Sequence, residues 1–600
     1  MHLSVLTKIY EERTTVNTKD SELHIRPGRI RSTRAPKAKS FFNQVLQAAQ
    51  KAGHTSASSM SRGGRVGRST FGRGRLQFAR NRLFSAARRV TVKARVARHK
   101  GLAFGSASLA AHISYLRRDG VTRSGERASL FDAEREEVDG SAFAERCKGD
   151  RHHFRFIIAP EDGGEMSDLK AFTRDLARQM KADLGTRLDW VAVDHWNTDN
   201  PHIHLLVRGV SDNVEDLVIS RDYISQGLRS RAEELASIEL GPKAEHEIRR
   251  ALEREVFAER WTRLDREIRL AADETGYLDL RPDREGISDP EIRRLMIGRL
   301  QHLQKMGLAS SAVPGEWMVG LDAEPHLRDL AIRGDIIKTM HQAMTERGQE
   351  RSLSEFAVTG ERTTAPIIGR LLATGLHDEL TGEAYALIDA TDGRLHHVRF
   401  RGLEAFEQAP PIGGIVEVRQ FGGMDEQRPT RVLANRSDFD LPAQIGAPGA
   451  TWLDHRLVER DSMPLALGGF GREARQAMQA RAEHLAEAGL AHRAGGRIIL
   501  QRDLLNTLRR RELEAAGAEI AAETGLPHAQ AAVGEQVAGT YRKSLSLTSG
   551  RFALIDNGLG FQLVPWTREL EKRLGQHVTG SVRDGGGIEW SFGRKRDLGL

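Results

Sequence analysis

Three histidines, His195, His202 and His204, fall close together in the segment Asp-His-Trp-Asn-Thr-Asp-Asn-Pro-His-Ile-His-Leu-Leu-Val-Arg-Gly, residues 194–209. In a strand alternate residues share a face, so His202 and His204 point one way and Ile203 points into a core. His195 ends the preceding apolar run, and the short turn 197–201, fixed by Pro201, folds it back beside the pair. Three neutral imidazoles leave coordination positions open, the arrangement of a catalytic rather than a structural metal. Asp199 in the turn is placed to bond a ligand histidine from outside or to accept a proton. A lone His-X-His in a strand is usually not a metal site. The third histidine, the intervening acid and the proline are what shift that balance. A histidine-triad nucleotide hydrolase would need a further histidine at position 206, where Leu206 stands.

A metal there polarises a phosphoryl oxygen, but a nucleophile is still required. The chain has six tyrosines. Tyr115 stands in AAHISYLRRDG beside Arg117 and Arg118, whose guanidinium groups suit phosphate positioning and favour the phenolate. Tyr223, in ISRDYISQG, is the runner-up. For either, the plain alternative is an aromatic that packs a helix.

The surroundings are strongly basic. From Leu23 to Arg118 there is no Asp or Glu, while Lys and Arg total 22; with a net charge of +8 the remainder carries 8 − 22 = −14. Folded surfaces ordinarily mix both signs. An acid-free stretch of this length suits phosphate neutralisation with release of counterions. Part of it, 26–75, is rich in Gly, Ser and Arg and reads as a disordered basic arm. One cysteine, Cys147, excludes an intrachain disulfide framework and a cysteine-rich zinc module, which points to a reducing cytoplasm. No apolar run of about 18 residues suggests a membrane span, and the N-terminus lacks the pattern of a secretory signal.

The elements that position these residues follow from periodicity. RVTVKARVAR (89–98) alternates as a strand with one basic face. A helix is expected over about 106–118, a strand over 154–160, and an amphipathic helix from an N-cap at Ser167 to Gly185. DWVAVDHW and HIHLLVRG are strands joined by a polar turn. Together they predict an α+β sandwich with an antiparallel sheet. Beyond it, residues 216–272 read as charged helices.

The C-terminal half carries an internal duplication. RLQHLQKMGLA (299–309) parallels RAEHLAEAGLA (481–491) at an offset of 182, and 322–330 parallels 502–510. AYALIDATDGRLHHVRF (384–400) parallels RFALIDNGLGFQLVPW (551–566) at an offset of 167. The order is helical unit, β unit, helical unit, β unit, with winged-helix-like helical units and small barrels expected. The domain plan is a basic arm at 1–88, a nuclease-like domain at 89–250, a helical linker at 251–285, and repeats at 286–440 and 455–600.

The run His195-x3-Asp199-x2-His202-x-His204 resembles the third motif of conjugative relaxases, and His202-Ile203-His204 the signature of the HUH endonucleases. The similarity covers about residues 89–250 and is nearest to the T-DNA border nuclease and mobilisation-protein branch. There the catalytic tyrosine lies N-terminal to the histidines on a helix followed by basic residues, as Tyr115 does. Asn197 stands where that branch often has an additional acid, which leaves Asp199 any acid role. The resemblance implies nicking of single-stranded DNA at a transfer origin through a 5′-phosphotyrosine on Tyr115. It implies Mg²⁺ or Mn²⁺ on His195, His202 and His204, and phosphate contacts from Arg117, Arg118 and Arg208. The strand end at Arg208 suits an ordinary surface charge equally well. Accessory DNA-binding and coupling proteins are the implied partners. An HUH replication initiator or transposase, and an inactive DNA-binding scaffold, are the rival readings. The C-terminal half is similar to an extension of unassigned function, open between duplex-DNA contact, a secretion coupling partner and a passive scaffold.

Overall fold

The computed structural model describes residues 80–99, 105–197, 200–282, 289–348, 351–358, 365–421, 430–459, 464–532, 534–583 and 587–591. Asp199 and the basic arm up to residue 79 lie outside the described residues. The chain divides into two compact units. The first runs to Ile332 and takes in the turn Glu379–Thr381; the second comprises Arg333–Asp378 and the chain from Gly382 on.

The first unit is built on β1 (Val90–Arg98), α1 (Gly105–Leu116), α2 (Gly140–Arg146), β2 (His152–Pro160), α3 (Leu169–Leu184), β3 (Trp190–His195), β4 (His202–Arg208) and α4 (Arg229–Leu240). Its strands form an antiparallel sheet in the order β1-β2-β4-β3. Period-two alternation gives each strand two faces. Ile203, Leu205 and Val207 of β4 join Val92, Phe154, Phe156 and Ile158 in a core closed by Phe172, Leu176 and Met180 of α3 and Ala232 and Ala236 of α4. On the other face Leu206, Val191 and Val193 pack under Leu109, Ile113 and Leu116 of α1 and Phe143 of α2. His202 and His204 share that second face with Leu206. Asp168, not Ser167, caps α3, accepting from the amides of Lys170 and Ala171, while the Ser167 hydroxyl donates to Glu239. Two adjacent residues with cap-competent oxygens make such a one-residue shift easy. Gly185, at φ +67°, ends the helix in the left-handed conformation.

Of residues 251–285, expected as a helical linker, the described ones, 251–282, are packed structure. They hold the second half of α5 (Glu245–Val256), and α6 (Arg263–Ala271) and β5 (Tyr277–Asp279), which share a core with α7 (Pro290–Lys305). Ile248 and Leu252, and Leu264 and Ile268, recur four apart and bury one stripe against Leu295, Met296, Leu300 and Leu303. A hairpin of β6 (Ala309–Val313) and β7 (Glu316–Val319) and the long α8 (Ala323–Thr345) follow. At the centre, Arg299 is fully buried. It donates to both oxygens of Asp265 at 2.8 and 2.9 Å and to the carbonyls of Val256, Ala258 and Arg260. Asp265 in turn accepts from Thr262 in a capping box.

The second unit holds two sheets of matching strand order and, between them, a second copy of the helix–hairpin–helix part of the first unit. After β8 (Phe356–Val358), the strands β9 (Ile367–Asp378), β10 (Glu383–Ala390), β11 (Leu395–Phe400), β12 (Ile415–Phe421) and β13 (Thr430–Ser437) form a sheet in the order β13-β12-β9-β10-β11-β8, antiparallel except for β8. Next come α9 (Leu441–Ile445), α10 (Trp452–Val458), α11 (Gly469–Glu487), the hairpin β14 (Ala491–Ala494) and β15 (Arg497–Leu500), and α12 (Leu504–Thr524). The final sheet comprises β16 (Gln536–Leu547), β17 (Gly550–Asp556), β18 (Phe561–Pro565), β19 (His577–Val582) and β20 (Ile588–Ser591). Its order, β20-β19-β16-β17-β18, matches β13-β12-β9-β10-β11 strand for strand, and β10 and β17 begin 167 residues apart. Arg481, 182 residues after Arg299, repeats the buried staple. It donates to both oxygens of Asp454 and to the carbonyls of Ile445, Ala447 and Gly449, with Thr451 capping Asp454. The pairing of 322–330 with 502–510 is one residue off. α8 and α12 begin 181 apart, because β6 has five residues and a register shift where β14 has four. The class is thus mixed α+β with several antiparallel sheets. Among the described residues no helix is long and apolar enough to cross a membrane.

Candidate metal centre

β3 and β4 pair so that His195 stands directly opposite His202, with His204 two residues further along the same face. The three rings are mutual neighbours, with centroids 4.5, 4.9 and 5.3 Å apart. His195 Nε2 lies 2.8 Å from the carbonyl oxygen of Leu116, the last residue of α1. A carbonyl only accepts, so Nε2 carries the proton and Nδ1 keeps its lone pair. That Nδ1 is buried and has no hydrogen-bond partner among the described residues. His202 Nδ1 likewise donates to the carbonyl of Asn200 at 3.0 Å, leaving Nε2 as the acceptor, 3.2 Å from His204 Nε2.

A fourth group completes the cluster. Glu379, from the turn Glu379–Thr381 of the first unit, places Oε2 3.1 Å from His204 Nε2 and 3.6 Å from His202 Nε2. Ligand atoms of His195, His202, His204 and Glu379 all lie within 4.8 Å of one another. Three imidazole nitrogens and one carboxylate oxygen suit a divalent cation, and an unpartnered buried lone pair on His195 fits the same purpose. Burial and the neighbouring His204 push the His195 imidazole down to about 3, and burial lowers His204. Both are therefore neutral at pH 7, the form that ligates. Burial alone would raise the Glu379 carboxyl. The facing imidazoles of His204 and His202 outweigh it and hold the group well below the ordinary range, as the carboxylate.

α1 reaches this centre because Leu109, Ile113 and Leu116 seat it on β3 and β4. Tyr115 is half-buried, with the Arg118 guanidinium carbon 4.4 Å from its ring centre. Arg118 also pairs with Glu379 at 3.6 Å. The Arg117 Nε is buried without a hydrogen-bond partner among the described residues. The structure therefore brings together His195, His202, His204 and Arg118, and sets the end of the Tyr115 helix against His195. Arg208 donates two bonds to Asp150, at 2.7 and 3.0 Å. Tyr223 belongs to the core on the opposite face of the sheet and donates to Asp183 at 3.1 Å. Burial and then Asp183 push its phenol up, which disfavours it as a nucleophile.

Sequence reasoning missed Glu379, which lies 175 residues beyond His204 in a turn with no periodic signal. It also missed a buried polar chain on β2. Arg155 donates to His153 Nε2 at 3.0 Å, His153 Nδ1 to His99 Nε2 at 2.7 Å, and His99 Nδ1 to the carbonyl of Asp150 at 2.8 Å. His112 of α1 is buried beside this chain; desolvation and then Arg155 hold it well below the usual imidazole range.

Among known families, the one described as protein of unknown function (DUF3363) matches residues 296–430 and 423–599, together just over half of the 600. The chain belongs to that family. The match includes Glu379 but not the three histidines. No curated protein matches the chain, and no solved structure does.

Proposed function

We propose that the chain is a metal-dependent nickase of single-stranded DNA, a conjugative relaxase or mobilisation nuclease whose sheet domain is of the HUH type. The observation that carries this reading is the compact His195–His202–His204–Glu379 set at the end of the helix bearing Tyr115. In this reading the duplicated helical modules are winged-helix-like and the duplicated sheets are small barrels. Mg²⁺ or Mn²⁺, when bound by His195, His202, His204 and Glu379, supplies Lewis-acid polarisation of a phosphoryl oxygen. Tyr115 Oη attacks the phosphorus of one phosphodiester, and the P–O3′ bond breaks. The phenol proton passes to a base, the part given to Asp199, and the departing 3′ oxygen takes up a proton. The products are a 5′-phosphotyrosine and a free 3′ hydroxyl, and rejoining reverses the step because the ester energy is retained. Arg118, over the Tyr115 ring, stabilises the phenolate and holds a phosphate oxygen. The Leu116 carbonyl orients His195, as an outer partner orients a metal ligand.

The test is cleavage of end-labelled single-stranded oligonucleotides tiled across the DNA element that encodes the chain. Cleavage at one site with Mn²⁺, abolished by EDTA and by His202→Ala or His204→Ala, is the expected result. Cleavage that survives EDTA and both substitutions would remove the metal from the account.

A further inference from the structure

The two helix–hairpin–helix copies share a core but not a surface. Several buried helix residues correspond: Arg299 with Arg481, Leu303 with Leu485, Ala323 with Leu504, and Leu327 with Leu508. Their charges diverge. Residues 491–511, the second hairpin and the start of α12, hold six arginines against one aspartate, a net +5. The matching residues 310–330 hold one arginine against four acids, a net −3. Where the second copy has Arg497 and Arg510, the first has Glu316 and Asp329. Arg493, Arg497, Arg502, Arg510 and Arg511 are all exposed. Arg493, Arg497, Arg502 and Arg511 make no ion pair among the described residues, and Arg510 approaches only Glu514, at 3.9 Å.

We infer that the second copy is a docking face for duplex DNA, gripping its phosphate backbone through the β14–β15 hairpin and the start of α12. Preservation of the core while the surface charge reverses argues against a requirement of folding, since the first copy packs the same core with acids. The chemistry selects a polyanion with closely spaced charges. Residues 491–511 contain no Phe, Tyr or Trp. Single-strand binders that read unstacked bases rely on aromatic platforms, whereas phosphate contacts need only positioned cations. The face therefore fits duplex rather than single-stranded DNA. Its role stands apart from the nicking chemistry, and either can fail without the other.

The experiment uses the full chain in EDTA, with a labelled duplex of about two helical turns and a single strand of the same length, titrated across a range of NaCl. Arg497→Glu/Arg510→Asp installs the residue types of the first copy. We expect duplex affinity to fall about tenfold or more and the slope of log K against log salt to shrink by about 2, near 0.9 per phosphate contact. Single-strand affinity should stay within about twofold, and Arg497→Lys/Arg510→Lys should retain most duplex binding. If the charge-reversed chain does not melt like the parent, the neutral pair Arg493→Gln/Arg502→Gln, at exposed positions, provides the same reading. Unchanged duplex affinity in a folded variant overturns the inference and leaves the face to an acidic protein partner. Equal loss on both DNA forms overturns it in favour of single strands.

Discussion

The Leu116 carbonyl ends the helix that carries Tyr115 and also fixes which nitrogen of His195 is free. One hydrogen bond thus ties the end of that helix to the tautomer of His195. Glu379→Gln keeps the side-chain shape but removes a charged ligand. It should weaken Mn²⁺ binding by calorimetry about tenfold or more, on the scale of lost partners at metal sites; equal affinity would exclude Glu379 as a ligand. The buried histidines give a pH dependence. A histidine kept neutral in the fold binds fewer protons folded than unfolded, so stability is full above its ordinary value and falls as pH drops below about 6.5. For His195 the decline continues to about 3. His112 acts in the same direction, each such group contributing about 1.4 kcal/mol per pH unit in its window. Urea melts of His112→Leu should therefore show a smaller pH slope than the parent as pH falls below about 6.5, and an unchanged slope would contradict this. The histidine ligands were legible because they lie within one strand pair, where period two fixes their faces. Glu379 and the Arg208–Asp150 pair were not, since each joins segments far apart in the chain.

At the scale of elements, the chain reuses one helical design twice and locks each copy with a buried guanidinium. Arg481→Ala leaves Asp454 and three carbonyls without their donor and should cost about 3–5 kcal/mol in denaturant melts. Replacing both partners, as Arg481→Met/Asp454→Leu, should cost much less, because no uncompensated charge stays buried. A double replacement as damaging as the single one would contradict that account. The alignment of 299–309 with 481–491 happened to begin on this arginine pair, yet nothing local marked its role. Its aspartate sits on an earlier helix, in the stretch that composition made look like a linker. Strand and helix types in the sheet domain were readable from apolar periodicity; the α3 cap and the hairpin register were not, since each turns on a single residue.

For the molecule as a whole, both cores that hold the first sheet are made of residues no later than Leu240. A fragment ending at Gly241 should melt cooperatively and bind Mn²⁺ through its three histidines, more weakly than the full chain because Glu379 is missing. Non-cooperative melting of that fragment would show that the sheet depends on the α5–α7 core. The division of labour we propose is chemistry on the sheet face and DNA docking on the second helical copy. Its central claim is that Tyr115 forms a covalent link to DNA. The most direct measurement incubates the protein with cognate single-stranded DNA and Mn²⁺, denatures in SDS, and maps the adducted peptide by mass spectrometry. The account predicts an SDS-resistant adduct on the peptide containing Tyr115, absent in Tyr115→Phe and retained in Tyr223→Phe. An adduct that persists in Tyr115→Phe, or none on the cognate strand, would contradict it.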